Sequence, residues 1–171
     1  MPHLMLVRHG IADDRELARA AGLDDDRRAL TEDGTRKFRK AAVGLWRLVP
    51  ELHAVLTSPL LRAVETAELL VAPFGRRPIV QQPELAPGSD WRALGPVLKG
   101  YPADAWIACV GHEPDLGRLA AWLLTGEERG FFKFKKGGAA ALELEDGFRP
   151  AGASLMWLLT GAQLRHLGGE E

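Results

Sequence analysis

Hydrophobic positions along the chain alternate between short β-rich runs and longer stretches with helical spacing. The runs "HLMLV" (3 to 7), "HAVLTS" (53 to 58), "PIVQ" (78 to 81), "WIACV" (106 to 110), "AAALEL" (139 to 144) and "SLMWLL" (154 to 159) read as strands. Several are apolar throughout, as strands covered on both faces should be. Between them, Thr31 can cap a helix to about Leu48, with Phe38, Ala41, Ala42 and Leu45 recurring on one face. Ser58 followed by Pro59 predicts a second helix, Ser as its cap and Pro in its first turn, with Leu61, Val64 and Leu69 inward. A third starts near Pro114, carries Leu116, Leu119, Ala120 and Leu123, and stops at Gly126. Asp90 caps a shorter one through Leu98. The alternation predicts an α/β fold of three layers: a mostly parallel central sheet with helices on both faces.

Composition adds exclusions. With 171 residues and 46% hydrophobic content, residues 1–171 have the length of one domain and the material for a sizeable core. No linker, repeat or low-complexity tract suggests a second. Lys plus Arg total 22 against 23 acidic residues, a net charge of -1, so no global field favours nucleic acid or an anionic membrane. An anion must be captured locally. The single Cys109 lies in an apolar run and reads as a buried core residue rather than a reactive thiol. Arg8 interrupts the first hydrophobic run too early for a secretory signal, and no apolar stretch approaches the roughly 20 residues that cross a bilayer. The expected compartment is the cytoplasm.

The residues that call for chemistry fall at three strand-to-helix junctions: "LVRHG", "LTSPLLRA" and "CVGHEP". In an open parallel sheet the carboxyl ends of neighbouring strands share one edge, where ligand crevices form. Singly, His9 reads as a strand-end histidine, Arg62 as a surface charge and His112 as turn chemistry. Together, Arg8, His9, Arg62 and His112 make a cage for a tetrahedral anion. Arginine stays charged and matches phosphoryl oxygens, and the helix start at Ser58 and Pro59 adds positive dipole. Neighbouring guanidinium groups disfavour the protonated form of His9, which leaves a neutral imidazole able to attack phosphorus. Gly10 is expected to let the backbone turn and approach the substrate without a side chain in the way.

"LVRHG", "LTSPLLRAVETAELL" and "VGHEPDL" strongly resemble the histidine phosphatase superfamily, with its phosphoglycerate mutases and phosphatases. "LTEDG", "PELAPGSD", "GHEPDLGRLAAWLLTG" and "FKFKKGGAAALEL" look like the SixA-type phosphohistidine phosphatase branch. The resemblance implies a phosphoglycerate mutase-like doubly wound sheet with no metal and no organic cofactor. It also implies that His9 is transiently phosphorylated, that Arg8 and Arg62 bind the phosphoryl group, and that His112 donates to it. By the same resemblance Ser58 is expected as an outer phosphate-binding contact. Glu84 in "PEL" is the candidate proton donor, with a solvated loop carboxylate as the plain alternative. His3, His53 and His166 match no catalytic motif.

The function expected on this basis is removal of a phosphoryl group from a protein histidine, releasing inorganic phosphate. The partner is then a phosphohistidine-bearing protein. A phosphatase for a small phosphorylated metabolite is the second reading, and a noncatalytic phosphoryl-recognition module the third. Only about 50 residues separate Arg62 from His112, most of them needed for fold elements, which favours an unroofed site. "GFFKFKKGG" can flank its mouth, with Lys133, Lys135 and Lys136 facing an acidic partner, although a solvated loop or edge strand is the plainer reading. "GLDDDRRALT" (22 to 31) reads as a hydrated, mixed-charge loop rather than a metal site.

Overall fold

A computed structural model of the chain describes residues 2–49 and 51–169. Six strands form one sheet: β1 (His3–Arg8), β2 (Ala54–Thr57), β3 (Ile79–Gln81), β4 (Trp106–Gly111), β5 (Ala139–Glu143) and β6 (Ser154–Leu159). Their spatial order is β3-β2-β4-β1-β5-β6. The four from β3 to β1 run parallel, β5 joins β1 antiparallel, and β6 joins β5 antiparallel at the edge. The expected three-layer, mostly parallel architecture is therefore the one observed.

Alternation within the central strands explains the layers. On β1, Leu4 and Leu6 point to one face, where they meet Leu56, Ile107 and Cys109 together with Leu116, Leu119 and Leu123 of helix α5 (Asp115–Thr125). Met5 and Val7 point to the other face. There they pack with Val55, Ala108 and Val110 beneath helices α2 (Glu32–Leu48) and α3 (Leu61–Val71), through Phe38, Leu45, Ala63, Ala67 and Leu70. Each such Leu or Val, buried on folding, contributes roughly 1.5–3 kcal/mol. Cys109 belongs to this core, and burial pushes its thiol up to about 12.

The caps read from sequence hold at Thr31, whose hydroxyl accepts from Gly34 N–H, and at Gly126, which ends α5 in the left-handed region. Asp90 caps a 3-10 turn (Trp91–Ala93) that leads into α4 (Leu94–Leu98). One start moves. Helix α3 begins at Leu61 with Leu60 in the cap position, so Ser58 stands two residues too early to cap it, its hydroxyl lying between Leu60 N–H and His112. Two helices have no counterpart in the periodicity: α1 (Arg15–Ala20), capped by Asp14, and α6 (Gly161–Gly168). Helix α6 rests on a capping box between Thr160 and Gln163, and on close backbone contact with α2. A Cβ on Gly44 would lie 2.0 Å from the Leu164 carbonyl oxygen, so only glycine permits that approach. Among the described residues, no helix is long and apolar enough to cross a membrane.

Candidate active site

The junctions converge at the carboxyl edge of β1, β2 and β4. Arg8 pairs in register with Gly111, so His9 and His112 leave adjacent parallel strands side by side. The main chain there is pinned: His9 N–H donates to the Gly111 carbonyl at 3.1 Å, and Gly137 N–H to the His9 carbonyl at 3.0 Å. Their rings lie 5.1 Å apart between centroids. Both are buried, with 6% and 4% exposure, yet both line an open cleft of about 630 Å³. Arg8, Arg28, Arg62 and Lys136 line the same cleft.

The hydrogen bonds set each imidazole. His9 Nδ1 donates to the Gly10 carbonyl at 2.7 Å, which leaves Nε2 unprotonated with its lone pair free. Burial, acting against the Gly10 carbonyl and assisted by His112, Arg62 and Arg8, lowers the His9 pKa to about 3. Burial and the same cationic surroundings lower that of His112 to about 3. Both rings are thus neutral at physiological pH. His112 Nε2 lies 2.8 Å from Ser58 Oγ, which accepts from Leu60 N–H at 3.3 Å. With the serine hydroxyl as donor to Nε2, the ring proton sits on Nδ1, a buried atom with no partner within the protein.

The two arginines are held from different sides. Arg8 Nη1 donates to the Phe134 carbonyl at 2.7 Å, and Glu113 Oε1 accepts from the Phe134 N–H at 3.2 Å. Cation and carboxylate therefore grip one residue. Arg62, with 1% exposure, donates from Nη1 to the Asp25 carbonyl at 2.8 Å and from Nη2 to Asp25 Oδ2 at 3.0 Å. The Nε atoms of both arginines are buried and have no partner. Burial pulls both guanidinium groups below their usual pKa, against the pull of Glu113 on Arg8 and of Asp25 on Arg62. Thr66, one turn beyond Arg62, accepts from Gly10 N–H and donates to the Arg62 carbonyl, which ties the turn after β1 to α3.

Arg8, His9, Arg62 and His112 are thus brought together. Ser58 is fully buried and meets His112 rather than the cleft. Glu84 does not line the cleft either; it borders a gap of about 10 Å³ that it shares with His112. Its Oε2 is buried without a hydrogen-bond partner. The space above Gly10 is filled by Leu30 and Phe38, so its missing side chain serves packing, not access to a ligand. Lys136 reaches the cleft, whereas Lys133 and Lys135 are exposed outside it and Phe134 is buried. Residues 22–27 are exposed, as the hydrated-loop reading expects, but 25–27 form a 3-10 turn whose Asp25 engages Arg62, Arg28 and Arg15. Sequence reasoning missed Asp25, Thr66 and Glu113. Thr66 and Glu113 stand in the motifs already noted, and Asp25 in the run at 22 to 31, where nothing local marks it out from its neighbouring aspartates.

The family profile described as histidine phosphatase superfamily (branch 1) matches residues 4–88. A protein of Picosynechococcus sp. strain PCC 7002, uncharacterised by name, is 39% identical over 142 residues, covering 81% of this chain and 83% of its own. The structure of the protein histidine phosphatase SixA complexed with tungstate superposes with a TM-score of 0.78 at 25% identity, covering 95% of this chain and 99% of that one. The α-ribazole phosphatase of Shigella flexneri shares the fold, with a TM-score of 0.68 at 20% identity over 93% of this chain and 96% of that one. Sequence and fold together place the chain in the histidine phosphatase superfamily, as a phosphatase hydrolase built on the phosphoglycerate mutase-like fold.

Proposed function

We propose that this protein hydrolyses phosphohistidine on another protein through a phospho-His9 intermediate. The observation that carries the reading is the free Nε2 of His9 at the base of an open, arginine-lined cleft, in a chain whose likeness to SixA spans nearly its full length. Nε2 attacks phosphorus, a new nitrogen–phosphorus bond forms, and the bond to the substrate ring breaks. A phosphohistidine protonated on its other ring nitrogen departs as neutral imidazole, so the step balances without a proton donor. Arg8 and Arg62 stabilise the equatorial oxygens, and His112 Nδ1–H donates to one of them. Water then attacks the phosphorus on His9, orthophosphate leaves, and the ring returns as the Nδ1–H tautomer.

An ester would make a different demand, because a departing alkoxide needs a proton. Glu84 is the candidate for that role, and its place outside the cleft supports the leaving group that manages without it. Turnover of a phosphohistidine peptide, measured against a panel of sugar and nucleotide phosphates, tests the substrate class. Preference for the peptide is expected, and preference for small esters would replace the reading with a metabolite phosphatase. Brief exposure to substrate should leave acid-labile, base-stable phosphate on the wild type and none on His9→Ala. Binding without turnover would instead indicate a recognition module.

A further inference from the structure

Arg62 carries a long cationic side chain into a site where it is almost wholly buried, and a guanidinium there needs fixed partners. Both of its terminal nitrogens are spent on one residue, Asp25, at 2.8 and 3.0 Å. A grip on main-chain carbonyl and side-chain carboxylate together fixes the rotation of the guanidinium plane. The other carboxylate oxygen of Asp25 takes Arg28 Nε at 3.2 Å and lies 3.4 Å from Arg15 Nε. All three arginines line the cleft. Like charges do not gather unaided, and this carboxylate is the anion around which they meet.

Asp25 is itself held in place. Arg28 Nη1 donates to the Asp13 carbonyl at 2.7 Å, Asp13 N–H to the Ala29 carbonyl at 2.9 Å, and Leu30 N–H to Glu65 Oε2 on α3 at 2.7 Å. The segment therefore joins the turn after β1 on one side and α3 on the other. Burial would raise the Asp25 pKa, but Arg62 and Arg28 outweigh it and keep the carboxyl below its ordinary value.

We infer that Asp25 is a positioning residue for phosphoryl transfer: it presets the Arg62 guanidinium, so that its orientation is established before substrate arrives. The inference rests on reading the cleft as the site of that transfer. Preset donors stabilise developing charge without reorganising at the moment of reaction. Removing Asp25 leaves Arg62 buried, unpaired and free to turn.

A double-mutant cycle on kcat/KM with p-nitrophenyl phosphate, run with Asp25→Ala, Arg62→Ala and the double variant, is the test. Asp25→Ala alone should lower kcat/KM by about 10-fold or more, but by less than about 3-fold in the Arg62→Ala background, because its effect passes through Arg62. Equal losses in both backgrounds, or a single variant within about 2-fold of wild type, would overturn the assignment. Thermal melts accompany the cycle, and if Asp25→Ala does not fold, Asp25→Asn, which keeps the volume, replaces it with the same criteria. A wild-type protein no more active than His9→Ala would remove the phosphoryl-transfer reading itself, whereas additive losses remove only the role of Asp25.

Discussion

Ser58 Oγ lies 2.8 Å from His112 Nε2, which leaves Nδ1 as the ring nitrogen of His112 without a partner in the protein. A serine read as a helix cap acts instead on a ring one strand away. Replacing it by alanine removes the hydroxyl donor to Nε2 and frees the imidazole to exchange tautomers. Ser58→Ala should lower kcat/KM by about 5-fold, the effect of one hydrogen bond near 1 kcal/mol, with the fold intact by circular dichroism. An unchanged kcat/KM would mean that the tautomer is set elsewhere.

The buried imidazoles predict a pH signature. With pKa values lowered from 6.5 to about 3, His9 and His112 should stay neutral on acidification, His9 as the Nδ1–H tautomer. Long-range nitrogen–proton spectra between about pH 7 and pH 5 would show this directly, and titration of both rings near their ordinary value would contradict it.

Stability follows with a definite sign. Between pH 6.5 and about 3 the unfolded chain takes up protons on these two histidines that the folded chain refuses. Their contribution is fully present above 6.5 and is lost as pH falls through that window. Melting temperature should therefore drop on acidification, and less steeply in His112→Asn. A slope unaffected by that substitution would place the acid sensitivity in other groups.

Glu84→Gln separates the two leaving groups. Turnover of a phosphohistidine peptide should change by less than about 3-fold, while any slow hydrolysis of an alkyl phosphate should fall by about 100-fold if Glu84 supplies the proton. Equal losses on both substrates would tie Glu84 to a step common to them.

Much of this was legible in the chain. Central strands announced themselves because both faces are covered, and "LVRHG" and "VGHEP" placed their histidines at neighbouring strand ends. Helix α6 was not legible from periodicity, since only Leu164 on it is a buried apolar side chain, and its cap and its contact with α2 do the rest. Asp25 was hidden for a different reason. A run of aspartates and arginines reads as hydrated until the fold brings α3 against it, and no local pattern encodes a pairing across 37 positions.

The helix pair supplies a stability test away from the site. Gly44→Ala places a methyl group 2.0 Å from the Leu164 carbonyl oxygen, so α2 and α6 must separate. A loss of about 1–3 kcal/mol in denaturant unfolding is expected, with kcat/KM preserved in the folded fraction. Wild-type stability in this variant would show that the two helices yield without cost.

Because His9 and His112 issue from paired strands in matched register, the gap between them is fixed by the ladder spacing of the sheet and not by the surrounding loops. Loops around the mouth can then lengthen, shorten or change charge without disturbing the two histidines. Choice of guest and chemistry are separable in this architecture, and a redesign of the rim should alter what is dephosphorylated before it alters how.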